Sequence, residues 1–100
     1  MMHSVVYAPE AESQLVALFF HIAAAASPEI AARYTDAIVK QCESLKTFPM
    51  RGARRDDIRP CLRVFGFRRR VSIAFEVTAE VVTILGIFYG GQNFETALKE

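Results

Sequence analysis

The chain has 100 residues, enough for a single domain over 1–100, and a chain of that size buries roughly 65% of the surface its unfolded form exposes. It is 52% hydrophobic with a mean hydropathy of +0.20 and a formal net charge of +1, which excludes a disordered charged tail and leaves more apolar surface than one small core readily hides. No apolar run reaches the ~20 residues of a membrane span, the N-terminus lacks a basic region followed by a signal-type core, and Cys42 and Cys61 have no metal-ligand spacing, so the expectation is a cytoplasmic domain with reduced thiols and no metal or other cofactor.

"HSVVY", residues 3–7, is short and β-branched and stops at Ala8-Pro9, which predicts a first strand. A helix follows from Pro9, with Glu10 and Glu12 at the dipole's positive end. Ala11, Leu15, Leu18, Phe19, Ile22 and Ala26 form its core stripe, and Val16 with Phe20 makes a second apolar pair, so the stripe is wider than one face requires. Ser27-Pro28 caps and starts a second helix, with Ile30, Tyr34, Ile38, Cys42 and Leu45 on one face, pairs Glu29–Arg33 and Asp36–Lys40 on another, and an end near Thr47 before Pro49. The two helices are expected to form an antiparallel hairpin.

From residue 61 the period becomes strand-like. "CLRVF", "RVSIAFEV" and "VVTILGIFY" read as three strands, separated by Gly66-Phe67 and by Thr78-Ala79-Glu80. In the middle run Val71, Ile73, Phe75 and Val77 alternate with smaller or polar residues. The last run is apolar on both faces, which predicts a central strand whose second face needs a cover that one helical hairpin does not supply; a partner is the expected cover. The order β-α-α-β-β-β defines an α+β fold, an N-terminal strand and helical hairpin packed on a mainly antiparallel sheet. A short tail carries Phe94 and Leu98 four apart.

The net charge conceals an asymmetry. Residues 51–70 hold eight of the nine arginines and two aspartates, leaving the other eighty residues with four cations against nine carboxylates. Asp56 and Asp57 cannot neutralise Arg51, Arg54, Arg55, Arg59, Arg63 and Arg68–Arg70. Guanidinium in place of ammonium suits bidentate binding of carboxylate or phosphate, so an acidic partner is implied. No nucleophile–base pair, carboxylate pair or phosphate-binding glycine motif stands out, and His3 and His21 lie far from acidic residues. Phe65 and Phe67 are the only aromatics within the basic stretch, and no helix-turn-helix or RNA-binding signature is present, so sequence-specific reading of nucleic acid is not expected.

That order, "LKTFPMRGARRDDIRPCLRVF" after the second helix, "RRRVSIAFEV", and the terminal "VTILGIFYGGQNFETAL" together resemble the ParE branch of the RelE/ParE toxins of type II toxin-antitoxin systems, over essentially the whole chain. The resemblance implies a toxin held inactive by a cognate ParD-like antitoxin, whose acidic segment folds along it with a helix in an apolar groove. It also implies inhibition of DNA gyrase by protein binding. The alternative is a RelE-like ribosome-dependent mRNA endoribonuclease, for which Arg63, Arg68 and Tyr89 would carry catalysis; a third reading is a decayed toxin surviving as a binding module. The turn Tyr89-Gly90-Gly91-Gln92 lacks the Lys or Arg that the nuclease branch tends to carry there, which favours the non-enzymatic reading. The expected antitoxin contacts are Val16, Phe20, Arg51, Arg54, Arg55, Arg68 and Arg69, and the expected target contacts are Tyr89 and Phe94.

Overall fold

Pro9 and Pro28 each open a helix in the computed structural model, which describes residues 3–99. Strand β1 (Ser4–Tyr7) leads into α1 (Pro9–Ala25), and a two-residue link leads into α2 (Pro28–Glu43), which a 3₁₀ turn (Ser44–Lys46) extends. The Ser27 hydroxyl accepts from the Ile30 N–H at 3.1 Å, the expected N-cap. Then come β2 (Ala53–Arg54), β3 (Leu62–Phe67), β4 (Val71–Thr78), β5 (Val81–Tyr89) and α3 (Phe94–Leu98). The sheet order is β1-β5-β4-β3-β2, with β1 parallel to β5 and every other pair antiparallel. This is the expected α+β architecture with two additions, the two-residue edge strand β2 and the short α3, both too brief to leave a periodic signal.

Helix α1 buries Ala11, Leu18 and Ile22, while Ala26 lies past its end and is exposed. In α2 the inward stripe is Ala31, Thr35, Ile38 and Cys42, so Ile30, expected inside, is 45% exposed. Small residues at 31 and 35 bring the two helices close, and the Thr35 hydroxyl is satisfied by the Ala31 carbonyl at 3.0 Å. Neither expected pair, Glu29–Arg33 nor Asp36–Lys40, closes to ion-pair distance; exposed helical pairs contribute only tenths of a kcal/mol against side-chain entropy.

The hairpin between β3 and β4 also differs from expectation. Gly66 and Phe67 remain in β3, paired with Ser72 and Val71, and the turn is Arg68–Arg70. Arg68 and Arg69 sit at φ +50° and +62°, a left-handed turn that usually takes Asn-Gly and costs a side chain about 1 kcal/mol per residue.

Strand β5 is central along its first half, between β1 and β4. Ala74 pairs with Gly86 but Phe75 pairs with Ile84, so Leu85 is an extra residue in a β-bulge. The bulge shifts the facing of β5 by one residue: Val82 and Ile84 before it, and Ile87 and Tyr89 after it, all meet the helices. Leu85 and Phe88 face the other side, where Leu62, Ala74, Ile58 and the α3 residues Phe94 and Leu98 close a second small core. The chain therefore covers the β3–β5 part of that second face with its own residues, while Val6 of β1 stays 46% exposed.

Candidate functional site

An apolar patch that the chain leaves uncovered lies on the outer side of the helical hairpin, and Phe48 and Met50, just before Arg51, are exposed as well. Val16 and Phe20, four apart and turned away from the sheet, are 56% and 66% exposed. With Leu15, Phe19, Asp36 and Val39 they line an open cleft of about 370 Å³ between α1 and α2. Phe20 is held edge-on to Phe19 at 5.5 Å between ring centres, so the apolar wall is preformed. Asp36 is the one charged group among these lining residues.

The arginines form two groups at opposite ends of β3. In the first, Arg51 donates to the Ser44 hydroxyl at 2.6 Å and lies over Phe65, 5.4 Å from its ring centre. Arg54 pairs with Asp56 at 2.7 Å. Arg55 makes a fork to both Asp57 oxygens at 3.0 Å, reaches Glu95 of α3 at 2.8 Å, and lies 5.8 Å from the centre of the Phe94 ring. Its hydrogen bonds hold the Asp57 carboxyl below the usual carboxylate range, and donating to Asp57 and Glu95 raises its own pKa. Arg63 donates weakly to the Gly52 carbonyl at 3.4 Å. The second group is the β3–β4 turn, where Arg68 covers Phe67 at 4.8 Å and Tyr34 at 5.6 Å. Arg63 and Arg68 are five residues apart along and just past β3, about 16 Å in extended chain. Asp56, Asp57 and Glu95 engage Arg54 and Arg55; among the described residues no carboxylate reaches the other six arginines of the segment.

Tyr89 and Phe94 lie on opposite faces. Tyr89 packs on the helix side between His21, at 5.5 Å, and Tyr34, at 6.4 Å, whereas Phe94 packs against Phe88 in the second core. Tyr89 pairs with Val71, next to the arginine turn, and Arg63 pairs with Phe75, four residues along β4, so Arg63 does not converge with Arg68 and Tyr89. Sequence reading missed His21, Tyr34, Gln14 and Gln92. The Tyr34 hydroxyl is shielded from solvent without a hydrogen-bond partner, and burial raises its pKa. Gln14 and Gln92 accept from the Ile87 and Tyr89 N–H groups at 2.7 and 2.8 Å, satisfying the part of β5 that runs beyond β1. With His21 and Tyr89 they border a second cleft of about 290 Å³. A glutamine on a helix carries no sequence signal for that role.

Among the described residues no three His, Cys, Asp or Glu side chains come together as a metal site, and no helix is long and apolar enough to cross a membrane.

The molecule is thus a strand and helical hairpin on a mixed five-stranded sheet, with an open apolar cleft on the hairpin and, among the described residues, six arginines of the basic segment that no carboxylate reaches. The model of the family described as ParE toxin of type II toxin-antitoxin system, parDE, matches residues 5–94, and the chain belongs to that family. A solved structure described as the chromosomal ParDE TA system from P. aeruginosa is similar at a TM-score of 0.77 and 28% identity, over 89% of this chain and 97% of that one. No curated protein sequence matches significantly.

Proposed function

We propose that this ParE-type toxin inhibits DNA gyrase by binding it, and that a ParD-like antitoxin neutralises it by laying a helix in the α1–α2 cleft. The observation that carries the antitoxin half is the cleft itself: Val16 and Phe20 are preformed, exposed anchors that line one apolar cleft between two helices. The unneutralised arginines at the β3–β4 turn and at Arg51 supply the long-range attraction that speeds encounter, while the apolar anchors set the lifetime of the complex. Binding, as opposed to chemistry, is supported by the separation of Arg63 from Arg68 and Tyr89, since ribose cleavage needs its proton-transfer and charge-stabilising groups around one phosphodiester.

The test is a pair of assays on the purified chain. Gyrase supercoiling should be blocked while ribosome-bound message stays intact. Message cut at codon sites, with supercoiling untouched, would replace this reading with the endoribonuclease one.

A further inference from the structure

The helical hairpin is acidic although the molecule as a whole is slightly basic. Residues 9–43 carry five carboxylates against two cations, Arg33 and Lys40. Two of those carboxylates flank the apolar cleft: Asp36 lines it, and Glu12 borders the surface beside Val16. Among the described residues neither has a cation within 4.0 Å, and Lys40, one turn from Asp36, does not close on it.

We propose that the cleft selects an amphipathic helix whose apolar stripe is flanked by lysine or arginine, with Asp36 and Glu12 as the selecting groups; this rests on the reading that the cleft is the antitoxin's docking site. The occupant is helical because Val16 and Phe20 stand about 6 Å apart along α1, the ridge spacing that a third helix interdigitates with. Its flanking charge is positive because a uniformly acidic helix would set like charges against two carboxylates that, among the described residues, have no cation within 4.0 Å, a mismatch that discriminates against such partners. The partner is therefore bipolar, cationic over the helical hairpin and anionic where it reaches the arginine turn at Arg68–Arg70. That polarity gives the bound segment one direction along the toxin.

The experiment uses two fluorescein-labelled 18-residue helical peptides with the same leucine stripe, flanked by lysine in one and glutamate in the other, titrated by anisotropy against the full chain. The lysine peptide should bind about tenfold more tightly, since two exposed ion pairs in the middle of their range contribute about threefold each. Asp36→Asn should reduce that preference to about threefold, and Phe20→Asn should abolish the binding of both peptides. Equal binding, a preference for glutamate, or a preference unchanged in Asp36→Asn would overturn the inference while leaving the docking site standing. Binding that survives Phe20→Asn, or no binding by either peptide, would overturn the docking-site reading and the inference with it.

Discussion

Replacing Gly86 by alanine adds one methyl group at the bulge that turns Tyr89 toward the helices. A Cβ there would lie 2.4 Å from Cε2 and 2.6 Å from Cζ of Phe88, and 3.3 Å from the Gln14 side-chain oxygen. Gly86 is not in the left-handed region, so the cost is steric. The Phe88 ring is 6% exposed and backed by Phe94 at 6.1 Å, so it has little room to swing away. Moving the backbone instead would stretch the 2.7 Å bond between the Ile87 N–H and Gln14. Overpacking of this kind costs about 1–3 kcal/mol, and a weakened half-buried hydrogen bond about 1 more. The expected loss is about 2–4 kcal/mol, which lowers the Tm of a domain this size by about 10–25 °C. Urea unfolding followed by circular dichroism measures it directly. Gly86→Ala combined with Phe88→Leu, which shortens the obstructing ring, should cost less than the sum of the two single changes. A Gly86→Ala variant within 0.5 kcal/mol of the parent, or strict additivity in the pair, would refute the account of the bulge.

Val16→Asn and Phe20→Asn should leave the Tm within about 3 °C, because both side chains are mostly exposed, yet weaken antitoxin binding by at least tenfold in calorimetric titration. The fork from Arg55 depresses the Asp57 pKa, so its support for the turn that holds both residues is complete above the unfolded carboxylate range near ~3.9 and is lost as pH falls through the lowered native value. Amide exchange at Ile58 and Arg59, whose N–H groups bond the Arg55 carbonyl, should accelerate over that acid interval in the parent, and Arg55→Ala should show the faster exchange already at neutral pH. Burial pushes the Cys42 thiol up to about 12, whereas Cys61 is exposed. At pH 8 a thiol reagent should therefore modify one cysteine in the native chain, and none in Cys61→Ser until it is unfolded. Because that native pKa lies above the unfolded value near ~8.5, stability should also decline as pH rises past that value, and less so in Cys42→Ala.

Helical periodicity and the two Ser/Ala-Pro boundaries exposed the hairpin, and β-branched runs exposed four of the five strands. Several features escaped for physical reasons. The inward stripe of α2 uses Ala31 and Thr35, whose small size serves close helix packing but looks unremarkable beside Ile30. The non-alternating run of β5 suggested a second apolar face in need of a cover from outside, but one extra residue at Leu85 reverses the facing midway, and Ile58, Phe94 and Leu98 fold back over that second side. The basic segment is continuous in sequence, yet β3 carries its ends about 16 Å apart, so one electrostatic patch becomes two. Val16 and Phe20 were legible because an apolar pair on the wrong side of an already sufficient stripe has no intramolecular use. The acidic flank of their cleft was not, because Asp36 reads as one half of a helical ion pair with Lys40 that the fold leaves open.

The most direct test of the account follows the cleft itself as the complex forms. With Val39→Cys, a cleft-lining position outside the Val16 and Phe20 anchors, in a Cys61→Ser background labelled with an environment-sensitive fluorophore, adding a ParD-like antitoxin should shift the emission to the blue and saturate at the stoichiometry of the complex. A complex that elutes intact from a sizing column while the label still reports water would contradict the assignment of the α1–α2 cleft as the docking surface.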